Sequence, residues 1–252
     1  MKLDLSGLKS IVMEGPTPVF ATVSGAHLYG FESPDSDVDL RGAFCMPLKD
    51  RLGLRSAEET YEVSDIREGL ELDWVAHDIR KFATLMTRRN GYVLEQLFSP
   101  LVVYPGPYLE ELRSVGRGCY VKHLFHHYRG FANTKRRDLE KQPSVKGLLY
   151  AYRVYFTGIH MLEDGELEAN LEYLLDRVDF PEIGGVKELI ERKRVGKEKA
   201  GLDEAELAPH WKQLDLLEAR MESAFEKSTL PESPTTYDAL DALVGRICME
   251  LG

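Results

Sequence analysis

The chain is 252 residues long, with 43% hydrophobic and 29% charged residues and a formal net charge of −10; it reads as an ordinary globular protein with room for one large domain or two modest ones. No apolar run reaches the roughly 18–20 residues of a membrane-spanning helix, which excludes such a span. Cys45, Cys119 and Cys248 are far apart and odd in number, fitting neither a zinc site nor a disulfide framework, so a reducing cytoplasm is the expected setting.

Residues 1–16 carry acids early and lack the long apolar block of a signal peptide. Pro18 to Ser24 reads as a strand stopped by Gly25, and Asp37 to Met46 as a second strand ended by Pro47. Leu70 to Val75 alternates apolar and acidic residues, the period of a half-buried strand. Asp78 is placed to cap a helix through Ile79, Phe82, Leu85 and Met86, which Asn90-Gly91 breaks; a further helix, Val93 to Phe98, ends near Pro100.

Beyond Tyr104-Pro105-Gly106-Pro107 the pattern turns helical. The spacing predicts one helix from Arg117 to Glu140 and another from a Ser144 cap to about Glu163, closed by Asp164-Gly165. Two more amphipathic helices are expected over Asp203 to Lys227 and Pro234 to Leu251. Gly184-Gly185 and the charged run Glu188 to Lys199 mark a flexible or exposed segment. The expected fold is α+β, a small mixed-sheet domain over residues 1–104 followed by a helical domain over 105–252. Charge is unevenly spread: from Arg113 to Arg153 ten Lys and Arg stand against Asp138 and Glu140, a net of +8, so the remainder carries −18. A basic block inside an acidic chain is a candidate polyanion site, and equally a solvated helix face.

The segment from Ser24 to Gly42 carries the chemistry. A strand ends at Gly25, a residue without Cβ that lets backbone N–H groups approach an anion. A short helical turn from Ala26 to Tyr29 follows, and after Gly30 and a turn at Pro34-Asp35 the next strand opens with Asp37-Val38-Asp39. Side chains at i and i+2 of a strand share a face, so Asp37 and Asp39 present two carboxylates together. Like charges held so close call for a cation between them, and hard oxygens of this kind suit Mg²⁺ with substrate phosphates. Asp73, on a later strand, is the candidate third carboxylate; Glu71, two residues earlier on the same face, is its rival.

These residues resemble the polymerase-beta nucleotidyltransferase superfamily, whose signature is Gly-Ser, a spacer, then Asp-hydrophobic-Asp. The nearest branch is RlaP, the RNA-ligase-associated predicted nucleotidyltransferases. Besides Ser33 to Gly42, the likeness runs through Leu52-Gly53-Leu54, Asp73 with His77 to Phe82, Leu94 to Pro100, Lys146 to Tyr150 with Arg153, Thr157 to His160, and Gly165-Glu166. It covers about Phe20 to Glu166. The resemblance implies a polymerase-beta-like domain with Asp37, Asp39 and Asp73 as metal ligands for two Mg²⁺ ions, Mn²⁺ being the alternative. Ala26 departs from the pattern, standing where the family has a serine that helps hold the triphosphate; Ser24 or Ser36 is placed to substitute.

Lys146, Tyr150, Arg153 and Thr157 fall on one face of the Ser144 helix, with His160 extending the row. Such a stripe can hold a nucleotide, with Lys146 and Arg153 on phosphate and Tyr150 on base or ribose, or it can simply face solvent. The superfamily's use of a helical-domain lysine implies the first. His123, His126 and His127 allow a zinc site by spacing, against a nucleic-acid-facing helix with Lys122, Arg129 and Arg136. His27 and Tyr29 are open to a substrate or a packing role, and His77 to a structural one.

The resulting expectation is a cytoplasmic, Mg²⁺-dependent nucleotidyltransferase that moves an NMP from an NTP, such as ATP, to a hydroxyl. The resemblance implies an RNA end as acceptor, tRNA included, in repair or tailing. Ser24, Gly25, Ala26, Ser36, Lys146, Tyr150 and Arg153 would bind the nucleotide. Two other readings stand beside it: transfer to a protein or small molecule, and a non-catalytic nucleotide- or RNA-binding module.

Overall fold

A computed structural model of the protein describes residues 4–54, 57–67, 70–196 and 201–252. They form two compact units. One holds the described residues up to Gly25 together with those of Asp37–Val121 and Ser233–Gly252; the other holds Ala26–Ser36 and the described residues of Lys122–Glu232.

In chain order the first unit has α1 (Leu5–Glu14), β1 (Pro18–Val23), a short α2 (Gly25–Tyr29) that leaves it, β2 (Val38–Phe44), α3 (Leu48–Leu52), β3 (Thr60–Arg67), β4 (Leu70–Asp78), α4 (Ile79–Thr87), α5 (Gly91–Phe98), β5 (Val102–Tyr104) and α6 (Leu109–Gly116). The strands make one mixed sheet in the order β3-β4-β2-β1-β5. β2 and β4 are parallel and the other neighbours antiparallel. Strand alternation sorts the side chains. Ala21, Val23, Val38, Leu40, Leu72 and Trp74 share a core with Leu8 and Val12 of α1. Burying each such Leu or Val contributes roughly 1.5–3 kcal/mol. On the opposite face Phe20 meets Phe82 of α4 edge-on at 5.2 Å, and the Thr22 hydroxyl donates to the Gln96 carbonyl of α5 at 2.8 Å.

The crossover from β4 into α4 is pinned as its sequence implies. The Asp78 carboxylate accepts from the Arg80 N–H that opens the helix, and also from the Arg51 guanidinium at 2.6 Å and the Met46 N–H at 3.1 Å.

The second unit is helical: α7 (Phe125–Lys141), α8 (Val145–Asp164), α9 (Leu171–Arg177), α10 (Val186–Val195) and α11 (Glu204–Lys227). α8 is its centre. Leu148, Leu149, Tyr152, Tyr155, Phe156 and Ile159 form a buried apolar face, and Arg153, Thr157 and His160 on its polar side are buried as well. Ser144 caps it by accepting from the Gly147 N–H, and Gly165 ends it at φ 72°. The last helix, α12 (Tyr237–Leu251), belongs to the first unit, where it packs on α4 and α6. The Thr236 hydroxyl donates to the Val115 carbonyl and the Thr235 N–H to that of Gly118. Compactness thus divides the chain more finely than one boundary near Tyr104, because the C-terminus returns to the sheet-bearing unit.

Two expectations are corrected. A single helix from Arg117 to Glu140 does not form: Arg117–Cys119 and Lys122–Leu124 are short 3-10 turns, and α7 starts only at Phe125. Tyr120 is extended, at ψ 108°, and the contacts of Gly118 with Thr235 and Thr236 outweigh helical continuity there. The segment expected to be flexible or exposed is largely α10, whose Val186, Leu189, Ile190 and Lys193 are buried. Residues 197–199 of that run lie outside the described ones.

Candidate active site

The parallel ladder places Asp39 of β2 directly opposite Asp73 of β4. Residues in register share a face, so the two carboxylates converge, on the side away from α1. Between them stands Arg41, two residues along β2 and therefore on the same face. Its Nη2 donates to Asp39 Oδ1 and to Asp73 Oδ2, both at 2.7 Å. Nη1 donates to the carbonyls of Leu40 and Asp73 at 2.7 Å, and Nε to the Tyr92 hydroxyl of α5 at 2.9 Å. Burial alone would lower the Arg41 pKa, but Tyr92, Asp39 and Asp73 hold it above the ordinary arginine value. Ser64 of β3 donates to Asp73 Oδ1 at 3.2 Å. The carboxylate side chains of this cluster stay partly open, 18% exposed for Asp39 and 33% for Asp73.

Gly25 closes the other side of Asp39. Its φ is +60°, and a Cβ there would lie 1.8 Å from Asp39 Oδ2. Only glycine satisfies both the backbone angle and the approach of the carboxylate. Next to it the Ser24 N–H donates to the Asp39 carbonyl at 2.8 Å. The Ser24 hydroxyl is buried without a hydrogen-bond partner. Leaving such a group unpaired costs about 1–3 kcal/mol, which a native site tolerates for a reason.

The expected trio of metal ligands is only partly assembled. Asp39 and Asp73 are brought together. Asp37 is not gathered with them: no group of three or more His, Cys, Asp or Glu stands placed for a metal ion among the described residues. Asp37 lies one residue before β2, where no ladder bond enforces the strand alternation. Glu71 is exposed near the start of β4 and pairs with Ile66. Two carboxylates nevertheless meet the protein's share of a Mg²⁺ site, so the donors present fit the ion once Arg41 Nη2 yields their oxygens.

The remaining candidates lie in the second unit. Ala26 is buried. The Ser36 hydroxyl contacts that of Ser33 at 3.0 Å, and the buried Lys193 ammonium donates to both, at 3.1 Å to Ser33 and 3.3 Å to Ser36. Lys146 and Tyr150 do come together. They line a groove of about 520 Å³ with Lys135, Lys141, Ser144 and Gln142. Lys135 lies 5.7 Å from the Tyr150 ring centroid, a cation–π contact. Arg153 is not in that groove: it is fully buried with its guanidinium 4.1 Å from the Tyr29 ring centroid. Tyr29 thereby takes a packing role.

The three histidines do not converge. His123 Nε2 lies 2.5 Å from Glu232 and stacks on His126. His127 packs against Phe131; burial, with a smaller push from Arg153, lowers its pKa to about 4. His77 contacts the Thr60 hydroxyl, and burial with Lys81 and Arg41 nearby lowers its pKa.

Sequence reasoning missed Arg41, Ser64, Tyr92 and Lys193. The signal for Arg41 was present, since Asp37, Asp39 and Arg41 alternate on one strand. That for Lys193 was a clean i, i+3, i+4, i+7 row, Val186, Leu189, Ile190, Lys193, with a lysine in its last place.

This sheet, with Asp39 on a strand that follows a glycine turn and runs parallel to the strand bearing Asp73, agrees with a sequence match over residues 5–246 to RlaP, the RNA repair pathway DNA polymerase beta family. The chain belongs to that family. By its description that family belongs to an RNA repair pathway and is akin to DNA polymerase beta. The RlaP chain is also similar to an uncharacterized protein of Methanocaldococcus jannaschii, 35% identical over 159 residues, which are 61% of this chain and 63% of that protein. It thus spans less than two thirds of that relative. No helix among the described residues is long and apolar enough to cross a membrane.

Proposed function

We propose that this RlaP protein transfers an NMP from an NTP to the hydroxyl of an RNA end, working in the cytoplasm. The acceptor oxygen forms a bond to the α-phosphorus, the bond from that phosphorus to the α–β bridging oxygen breaks, and pyrophosphate leaves with the electron pair. The observation that carries the reading is the convergence of Asp39 and Asp73 in register, with Gly25 packed against one of them.

The residues divide the work by position. Asp39 and Asp73, with Asp37 drawn in from the loop before β2, would hold Mg²⁺. When bound, the ion supplies Lewis-acid charge to the phosphates and lowers the pKa of the attacking hydroxyl. Asp73, the more open carboxylate, takes up the acceptor's proton. The Ser24 hydroxyl and the backbone at Gly25 offer donors to phosphate oxygens. In the groove of the helical unit, Lys146 and Tyr150 would offer a basic and an aromatic contact to nucleotide or RNA. Arg41 holds the carboxylates in place until substrate arrives, then turns its charge to the departing pyrophosphate. Catalysis rests on positioning and charge stabilisation.

Two observations favour a second reading. Arg41 already occupies one oxygen of each carboxylate, and Ala26 lacks the family hydroxyl, as in a nucleotide- or RNA-binding module without turnover. One experiment separates the two: incubation with each α-labelled NTP, Mg²⁺ and pooled RNA, for wild type and Asp39→Ala. Label on RNA in the wild type alone supports transfer. Magnesium-dependent NTP binding without labelled product supports the second reading, and equal labelling by the variant removes Asp39 from the site.

A further inference from the structure

Arginine is rarely left idle in this protein. Arg41, Arg51, Arg67, Arg113, Arg129 and Arg136 each meet a carboxylate. So do Arg192, Arg194, Arg220 and Arg246, while Arg117, Arg153 and Arg177 lie over aromatic rings. Among the described residues this leaves Arg137 and a cluster, Arg80, Arg88 and Arg89, all on α4 or just past its end. Exposed arginines that pair with no carboxylate, in a protein of net charge −10, are an electrostatic footprint for a polyanion.

Arg80 and Arg88 rim a groove of about 570 Å³ between α4 and α12. Eight residues apart, they stand about 12 Å from each other along the helix axis, a distance that a few nucleotides of a strand cover. Ala83 and Leu240 give the groove an apolar floor. On its far side Tyr237 is 63% exposed, with the Asp241 carboxylate one turn on. An exposed aromatic beside a cationic track is the arrangement that binds single strands, ring on base and guanidinium on phosphate. Asp241 fixes the orientation: phosphates run along α4, and bases lie toward α12, where the carboxylate can accept from a base amino group.

We propose that the α4–α12 groove is a binding site for single-stranded nucleic acid, with Arg80 and Arg88 on phosphates a few nucleotides apart and Tyr237 stacked on a base. The choice of RNA as the strand rests on the acceptor reading above; the site itself does not. Its lining includes none of the residues of the Asp39–Asp73 cluster, and so it serves to anchor a strand.

The test is binding of a fluorescein-labelled 20-nucleotide single-stranded RNA, followed by anisotropy from 50 to 300 mM salt. Arg80→Ala/Arg88→Ala is expected to weaken binding about tenfold and to lower the slope of log K against log salt by about 1.4, the value for two lost phosphate contacts on a single strand. Tyr237→Ala is expected to weaken it about fivefold with the slope unchanged. Arg80→Lys/Arg88→Lys should restore the slope. Lys212→Ala/Lys227→Ala, which removes two exposed charges elsewhere, should change neither quantity. Unchanged affinity and slope in the double arginine variant, or an equal loss in the lysine control, overturns the proposal. Preservation of RNA binding in Asp39→Ala, with or without any transfer activity in the wild type, keeps this test separate from that of the proposed reaction.

Discussion

Two regions of the sheet-bearing unit use arginine in opposite ways. On β2 all five N–H donors of Arg41 are satisfied within the protein, by two carboxylates, two carbonyls and a tyrosine. On α4 the guanidinium groups of Arg80 and Arg88 meet neither acid nor ring. The same side chain is therefore a structural keystone beside β4 and an unspent charge on the helix that follows it. What separates them is the supply of acceptors: the parallel ladder delivers Asp39 and Asp73 to Arg41, whereas α12 offers α4 mostly apolar side chains and one acid.

The comparison is broken most directly at Arg41. Arg41→Met leaves two facing carboxylates without a counter-charge and is expected to cost about 3 kcal/mol in urea denaturation, the low end of the range for a broken buried pair because Asp73 is one third exposed. Added Mg²⁺ should recover part of that loss; no recovery would count against a cation site between Asp39 and Asp73. Gly25→Ala comes next, with roughly 1–3 kcal/mol from the left-handed backbone. It should also abolish transfer outright, because the new methyl must displace the Asp39 carboxylate. Tyr92→Phe removes one acceptor from Arg41 Nε and should cost about 0.5–1.5 kcal/mol with the fold intact. The smallest effect is expected on the other side of the comparison. Arg80→Ala with Arg88→Ala should shift stability by less than about 0.5 kcal/mol, as for surface changes that break no contact. A loss approaching that of Arg41→Met would mean that these arginines also serve the fold.

Much of the carboxylate site was legible before any coordinates. The strand alternation put Asp39 and Asp73 on the faces they occupy, and the cap at Asp78 placed the start of α4 to the residue. Asp37 was legible only as a composition, because its orientation depends on where the ladder of β2 begins. The α8 face was read as one polar stripe, but its residues part company. Lys146 and Tyr150 line a groove, while Arg153, one turn on, is enclosed by Tyr29 and Phe131. Periodicity gives the direction of a side chain and not what neighbouring elements place over it. β3 escaped notice because in this edge strand the apolar alternation is confined to Tyr61 and Val63 and breaks at Asp65-Ile66, both exposed.

The sequence alone determined the α+β class, the β1–glycine–β2 order and the acidic residues that β2 and β4 present, because these follow from local periods of two and 3.6 residues and from the steric freedom of glycine. Only the tertiary structure decided that Arg41 stands between those acids, that Lys193 is buried against Ser33 and Ser36, and that α12 returns to α4 and leaves its arginines unmatched. These are pairings between residues distant in the chain or a choice among equivalent partners, and they are fixed by which charges and apolar surfaces the packed elements bring within a few ångströms of one another.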